Sequence, residues 1–182
     1  MIIMNFSKGV GLLLLTLVAG FIIFYLFDIK LAILFVVLWV DKTIISAFRI
    51  IRYFGVELTT VASVIMAIFY GPWFAFIFIL VSTPVLHALK YIFLPMPQPE
   101  WPLFVPSPYN IVDALGALVA GFVAPLQLFY ALLVTAIAKD VFFAFAEKFM
   151  LSKPVDVISA TTSIIFNIVA GYPFGVFVVS ML

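Results

Sequence analysis

Charged side chains are scarce in this 182-residue sequence: nine Lys and Arg and eight Asp and Glu, 9% of the chain. Soluble domains carry about 25%. So few charges cannot cover a water-facing surface, which excludes a soluble enzyme and a disordered chain. A nucleic-acid binder is excluded with them, because it needs a basic face. Cysteine is absent, so disulfides, thiol nucleophiles and Cys metal sites are absent too. The single histidine, His87, rules out a His-rich metal cage within one chain and is read as an interfacial or helix-packing residue. No HExxH, G-x-S-x-G, Walker A, GxGxxG or aspartate-rich diphosphate-binding motif is present. No catalytic residue, metal or cofactor is therefore assigned.

What the sequence has in abundance is apolar surface: 67% of residues are hydrophobic and mean hydropathy is +1.37. A helix needs ~20 apolar residues to cross ~30 Å of hydrocarbon. The apolar runs are continuous and lack the alternation of barrel strands. The expectation is an all-α, polytopic membrane helix bundle of six to seven transmembrane helices, one integral domain over 1–182, in the cell membrane with the lipid bilayer as its main partner. Spans are expected at about 9–27, 31–53, 56–70, 73–94, 111–124, 126–149 and 155–181. The first has a long apolar core and no small-x-small cleavage site, so it reads as a retained helix rather than a signal peptide. Gly71-Pro72 makes a tight turn, and Pro84 is expected to kink the fourth span. Segment 95–109 holds Pro95, Pro97, Pro99, Pro102, Pro106 and Pro108 and is expected to be stiff and extended. From Asn110 to Leu151 no loop is obvious, yet one helix of that length would be about 63 Å long at 1.5 Å per residue. Ala124-Pro125 is the expected break.

With seven spans, Lys8, Arg49, Arg52, Lys90, Lys148 and Lys153 share one side and Lys30 lies on the other. The positive-inside rule then places the N-terminus and the Pro-rich loop in the cytoplasm. Ionisable groups inside spans are costly, roughly 2.5 to 3.5 kcal/mol at the centre. Glu57, Asp41 and Lys42 are read as paired or interfacial. Asp113, Lys139 and Asp140 are candidates either for pairing or for function. Lys139 and Asp140 point about 100° apart on a helix, so they cannot share one neighbour equally. Asn167, central in the last span, is the polar residue most readily assigned to a ligand or an interhelical hydrogen bond. Gly116, Ala120 and Ala124 in the fifth span, and Gly171 and Gly175 in the last, mark close helix packing or partner docking. Phe142, Phe143 and Phe145 are read as lipid-facing bulk.

From Val56 on, VELTTVASVIMAIFYGPWFAFIFILV resembles the second and third helices of the substrate-binding S components of energy-coupling-factor transporters. NIVDALGALVAGFVAPLQLFY is similar to their Asn-bearing small-residue helix, and FNIVAGYPFG to their last helix. The MreD-like rod-shape proteins show a similar helix pattern. The S-component resemblance implies capture of a vitamin-like small molecule near the outer face, with a transmembrane coupling subunit and ATPases as partner chains. It implies ligand-binding roles for Asn110, Asp113, Asn167 and Tyr172, with Trp101 in a loop that covers the pocket. Thr16 and Gly20 are the nearest counterpart of the family's Ala-xxx-Ala docking motif. The chain differs in an additional N-terminal span and in a Gly-Pro turn that charge places outside. The expected function is thus a small-molecule-binding transporter subunit. The alternatives are an MreD-like assembly protein and an intramembrane lipid-modifying enzyme, for which Asp113 with Asp140 is the sole pair available.

Overall fold

The computed structural model describes residues 6–48, 51, 54–94, 96–97, 99 and 101–182. Arg49 and Arg52, and with them the expected end of the second span, lie outside these residues. The described chain is all-helical. Helix α1 is Phe6–Tyr25. Helix α2, Ile29–Trp39, runs on through a π-turn, Val40–Ile44, and a 3₁₀ turn, Ile45–Ala47. Then come α3, Thr59–Tyr70, α4, Pro72–Phe93, and α5, Pro108–Val123. Helix α6 is Leu128–Phe145 with a π-turn, Ala146–Met150. Helix α7 is Val157–Phe166, a π-turn Asn167–Gly171, and Tyr172–Met181.

Four of these helices are long and apolar enough to cross a membrane: Ser7–Tyr25, Pro72–Phe93, Leu128–Met150 and Val157–Met181. At most 33% of the apolar window of each is buried by the protein itself, so most of their apolar surface faces outward. Such faces need an apolar surrounding. Helix α3 is the opposite case. Thr59 to Ala67 are buried without interruption, because α2, α4, α5, α6 and α7 all pack around it. Its 12 residues span roughly 18 Å at 1.5 Å per residue, well short of a bilayer core.

Local chemistry explains the helix ends. Asp28 caps α2, accepting from Lys30 N at 2.9 Å, and its other oxygen accepts from the Tyr70 hydroxyl at 2.6 Å. Gly71, at φ 83°, turns the chain into Pro72, the first residue of α4. Pro84 lies inside α4 without ending it. Its missing N–H leaves a carbonyl one turn earlier, and Thr83 Oγ1 bonds its neighbour Ile79 O at 2.9 Å. Helix α5 starts at Pro108 rather than 111, because Ser107 and Asn110 form a capping box there. The break expected at Ala124-Pro125 is present: α5 stops at Val123 and α6 begins at Leu128. Helix α2 was expected to reach residue 53, but Phe48 is already extended (φ −89°, ψ 101°).

Small residues set the helix spacing. A Cβ on Gly116 would stand 2.4 Å from Lys139 Cγ, and one on Gly121 would stand 2.2 Å from Pro72 Cβ. Ala120 is fully buried, whereas Ala124 is the half-buried C-cap of α5. Gly171 and Gly175 lie against Val61 of α3. Gly20 faces the Phe35 ring, and Trp39 Nε1 donates to Thr16 Oγ1 at 3.0 Å. The Thr16 and Gly20 face of α1 is therefore covered by α2 of the same chain.

The Asp28 carboxyl is held below the usual carboxylate range, first by the Tyr70 hydroxyl and then by the Lys30 amide. A depressed carboxylate stabilises the fold above its unfolded value, near pH 4, and that contribution is lost as pH falls through the lowered value. Thermal unfolding in detergent should therefore show an acid limb that Tyr70→Phe shrinks and Asp28→Asn shrinks further, the paired carboxylates Asp41, Glu57 and Asp113 supplying the rest. An unchanged limb in both variants would disprove this assignment.

Candidate functional site

Five chain segments meet at one end of the bundle. The π-turn of α2 brings Asp41 and Lys42 there, the turn and loop before α3 bring Gly55 and Glu57, and the first turns of α5 bring Tyr109 and Asp113. The middle of α6 supplies Lys139 and Asp140, and the start of α7 supplies Asp156 and Ser159. A π-turn inserts a residue into the helical register; here it lets two consecutive charged residues of α2 both turn inward.

Asp113 is the hub. Its Oδ2 is 2.8 Å from Lys42 Nζ and its Oδ1 is 2.8 Å from Lys139 Nζ. Lys139 also pairs with Glu57 and donates to Thr60 Oγ1 at 3.1 Å. Its side chain is only 1% exposed. Lys42 is 3.3 Å from Asp41. Asp41 in turn caps α3 from a neighbouring helix, accepting from Leu58 N at 2.7 Å and from Thr59 Oγ1 at 2.5 Å. Carboxylates at a helix N-terminus complement its dipole. Each lysine thus touches two carboxylates. In a low-dielectric setting this reciprocal pairing is what makes buried charge tolerable.

The network forms one wall of a cavity of about 380 Å³. Asp140, Phe143 and Glu147 of α6 form a second wall, and Asp156, Ser159 and Ser163 of α7 a third. Asp140 lies roughly 15 Å below the end of α6 at 1.5 Å per residue, so the cavity reaches deep into the bundle. Glu147 Oε2 accepts from Asp156 N at 3.0 Å, and Asp156 Oδ1 accepts from Ser159 N at 3.0 Å. Both are therefore engaged in starting α7. Asp140 is different: its Oδ2 is shut off from solvent, and no described group donates to it. Gly55 makes the approach possible. At φ 62° it lies so close to α7 that a Cβ would meet Ser159 O at 2.5 Å.

The five residues expected to hold a ligand are dispersed. Asp113 borders the cavity. Asn110 serves the capping box, and its Nδ2 donates to Thr83 Oγ1 at 3.1 Å. It borders a separate hollow of about 20 Å³, together with Trp101, Pro84 and His87. That hollow holds at most a water, and Trp101 stands over it rather than over the cavity. Asn167 is fully buried on α7 and donates to Ser163 O at 2.9 Å. Tyr172 stacks edge-on with Phe129, centroids 5.5 Å apart. Phe143, expected to face lipid, instead borders the cavity and packs on Tyr109 at 5.8 Å between centroids. Phe145 is exposed as expected.

Sequence reasoning singled out Lys139 and Asp140, read Lys42 and Glu57 as paired or interfacial, and gave Tyr109, Glu147 and Asp156 no site role; the structure has Lys42 and Glu57 paired. The signal available was the surplus of carboxylates over lysines within apolar runs. It shows that charges must pair, without showing which. No protein-family model matches the chain, and no curated protein or solved structure matches it.

Proposed function

We propose that this chain is a multi-pass protein of the cell membrane, crossing seven times, and that it binds a small polar solute in the cavity beside Asp113 and Asp140 as the membrane subunit of a transporter. The observation that carries this reading is a space of about 380 Å³ walled by charged, hydroxyl and aromatic groups, inside helices whose outer faces are apolar. Solute sites are typically concave, of roughly 300–1,000 Å³, with few polar groups set among apolar walls. Ionisable residues at depth in a membrane bundle mark solute or ion pathways by default.

Lys8, Lys90, Lys148 and Lys153 belong to the cavity end of the helices and Lys30 to the opposite turn. The positive-inside rule then opens the cavity to the cytoplasm. An S-component-like subunit captures its solute near the outer face, so our reading departs from that resemblance in the side of binding. A coupling subunit and ATPases, if used, are separate chains, since no nucleotide motif is present. The MreD-like assembly reading calls for a filled interior, and the cavity favours solute binding over it. The lipid-enzyme reading needs carboxylates free to converge on a metal. Asp113 has each oxygen on a lysine, and no group of three or more His, Asp or Glu is placed to hold one metal ion among the described residues.

The test is mass spectrometry of small molecules retained by protein purified in detergent. Wild type should retain a compound, and Ala144→Phe, which projects into the cavity from α6 while leaving every member of the ion network in place, should lower its occupancy about tenfold. Full retention by Ala144→Phe, or a wild type that is purified empty and also binds no added solute, rejects the reading.

A further inference from the structure

We infer that the solute of this cavity is an organic cation, an ammonium or guanidinium on a short stem, held by Asp140 against the rings of Tyr109 and Phe143. This rests on the cavity being a solute site. Charge comes first. Glu57 and Asp113 already hold lysines, and Glu147 and Asp156 accept backbone amides at the start of α7. Two bordering carboxylate oxygens, Asp113 Oδ1 and Asp140 Oδ2, are buried with no hydrogen-bond partner among the described residues. Asp113 Oδ1 stands 2.8 Å from the Lys139 ammonium, whereas no described ion pair reaches Asp140. An unpaired carboxylate oxygen in such a place is costly, and a cationic guest satisfies it.

An anion finds the reverse. Lys42 is the one described ammonium on the cavity wall, and it is already held at 2.8 and 3.3 Å by Asp113 and Asp41. It has no unspent charge to offer, and an incoming anion would also face Glu57, Asp113 and Asp140. The second, independent observation is aromatic. Phe143 follows Asp140 by three residues on α6, so both lie on one helix face. Tyr109 of α5 packs against Phe143 across the cavity wall, with centroids 5.8 Å apart and planes tilted by 41°. Ring faces attract ammonium and guanidinium groups, and a carboxylate beside a pair of rings selects them over neutral solutes. Val56, Ala144, Val155 and Ala160 offer apolar walls to the stem.

Isothermal titration on the full chain in nanodiscs, with probes that share a four-carbon chain, tests the inference. The probes are 1,4-diaminobutane, agmatine, 1,4-butanediol and succinate. Either amine or agmatine should bind, with the diol about tenfold weaker or more and succinate inert. Asp140→Asn should weaken the cation about tenfold or more, Asp140→Glu should retain it, and Phe143→Leu should lose part of it. The Asp140 variants should melt no lower than wild type, because Asp140 Oδ2 has no described donor. Phe143→Leu also gives up packing on Tyr109 and the contact of its ring with the Lys139 ammonium, 5.6 Å from the centroid, so it should melt lower, and Asp140→Asn carries the test. Equal binding of the diol, preferential binding of succinate, or an unaffected Asp140→Asn variant overturns the cationic assignment and leaves the solute site standing. The compound retained on purification decides in the same way: a cation supports the inference, and a neutral or anionic molecule overturns it. A wild type that retains nothing and binds none of the four probes removes the solute site itself.

Discussion

Lys139→Met is expected to destabilise the protein by about 3–5 kcal/mol, the range for removing one partner of a buried ion pair. Methionine has nearly the length of the lysine stem, so the packing of that stem on Gly116 is largely kept and the loss reports charge. Without the ammonium, Glu57 keeps only the Thr60 hydroxyl at 2.8 Å, and Asp113 keeps only Lys42. Both carboxylates then lie in the bundle undercompensated. Asp113→Asn should cost less, since Lys42 retains Asp41 and Lys139 retains Glu57. The double variant Lys139→Met/Glu57→Gln should recover about 0.5–3 kcal/mol of the loss, the usual coupling between contacting residues. Thermal unfolding in detergent of wild type, Lys139→Met, Glu57→Gln and the double variant measures this coupling, with Asp113→Asn compared beside them. Strict additivity would mean that the charges do not act as one network.

The second large effect is expected at Gly121. A Cβ there would stand 2.2 Å from Pro72 Cβ, 2.4 Å from its Cα and 2.8 Å from its N. These atoms cannot swing aside: they belong to a proline ring and backbone at the first turn of α4, anchored by Gly71 at φ 83°. The turn must shift bodily, and overpacking of this kind costs about 1–3 kcal/mol. Alanine regains up to about 1 kcal/mol in helix propensity, so Gly121→Ala should sit low in that range. Gly121→Val, bulkier and a poorer helix former, should sit at its top. Gly11→Ala is the control. Nothing lies within 4 Å of its would-be Cβ, so it should leave the melting temperature unchanged or slightly raised. A Gly121→Val variant that melts with wild type would show that α4 and α5 are not held this closely.

Much of the helical plan was readable in the residues. The Gly71-Pro72 turn and the break near Pro125 follow from backbone chemistry that acts within a few residues. The Pro-rich segment, expected to be extended, instead turns at Pro102–Val105, with Phe104 at φ 65°. The start of α5 was read three residues late. Ser107 with Pro108 behind it is an N-terminal signature, but its partner at the third helical position is Asn110 rather than the usual Glu or Gln. That same substitution made Asn110 look like a ligand residue when its oxygen serves Ser107. Asn167 shows a related limit: a central polar residue in an apolar run signals a hydrogen bond without telling its partner. Its amide nitrogen donates to Ser163 O, one turn earlier on its own helix, while its Oδ1 is buried with no partner among the described residues.

Asp41 and Lys42 show where local reading stops. Adjacent to one another and near the end of an apolar run, they match an interfacial boundary in every sequence feature. In the fold, a π-turn and the short helix α3 carry them inward, one to cap α3 and the other to bind Asp113. Hydrophobic content and helix punctuation depend on each residue and its near neighbours, so composition and pattern suffice to predict an all-helical chain with outward apolar faces. Which carboxylate meets which lysine, and which one is left over beside a cavity, depends on residues 71 and 82 positions apart. No local rule reaches across such distances; the pairing arises when the helices pack and the cost of isolated charge selects the arrangement that leaves the fewest alone.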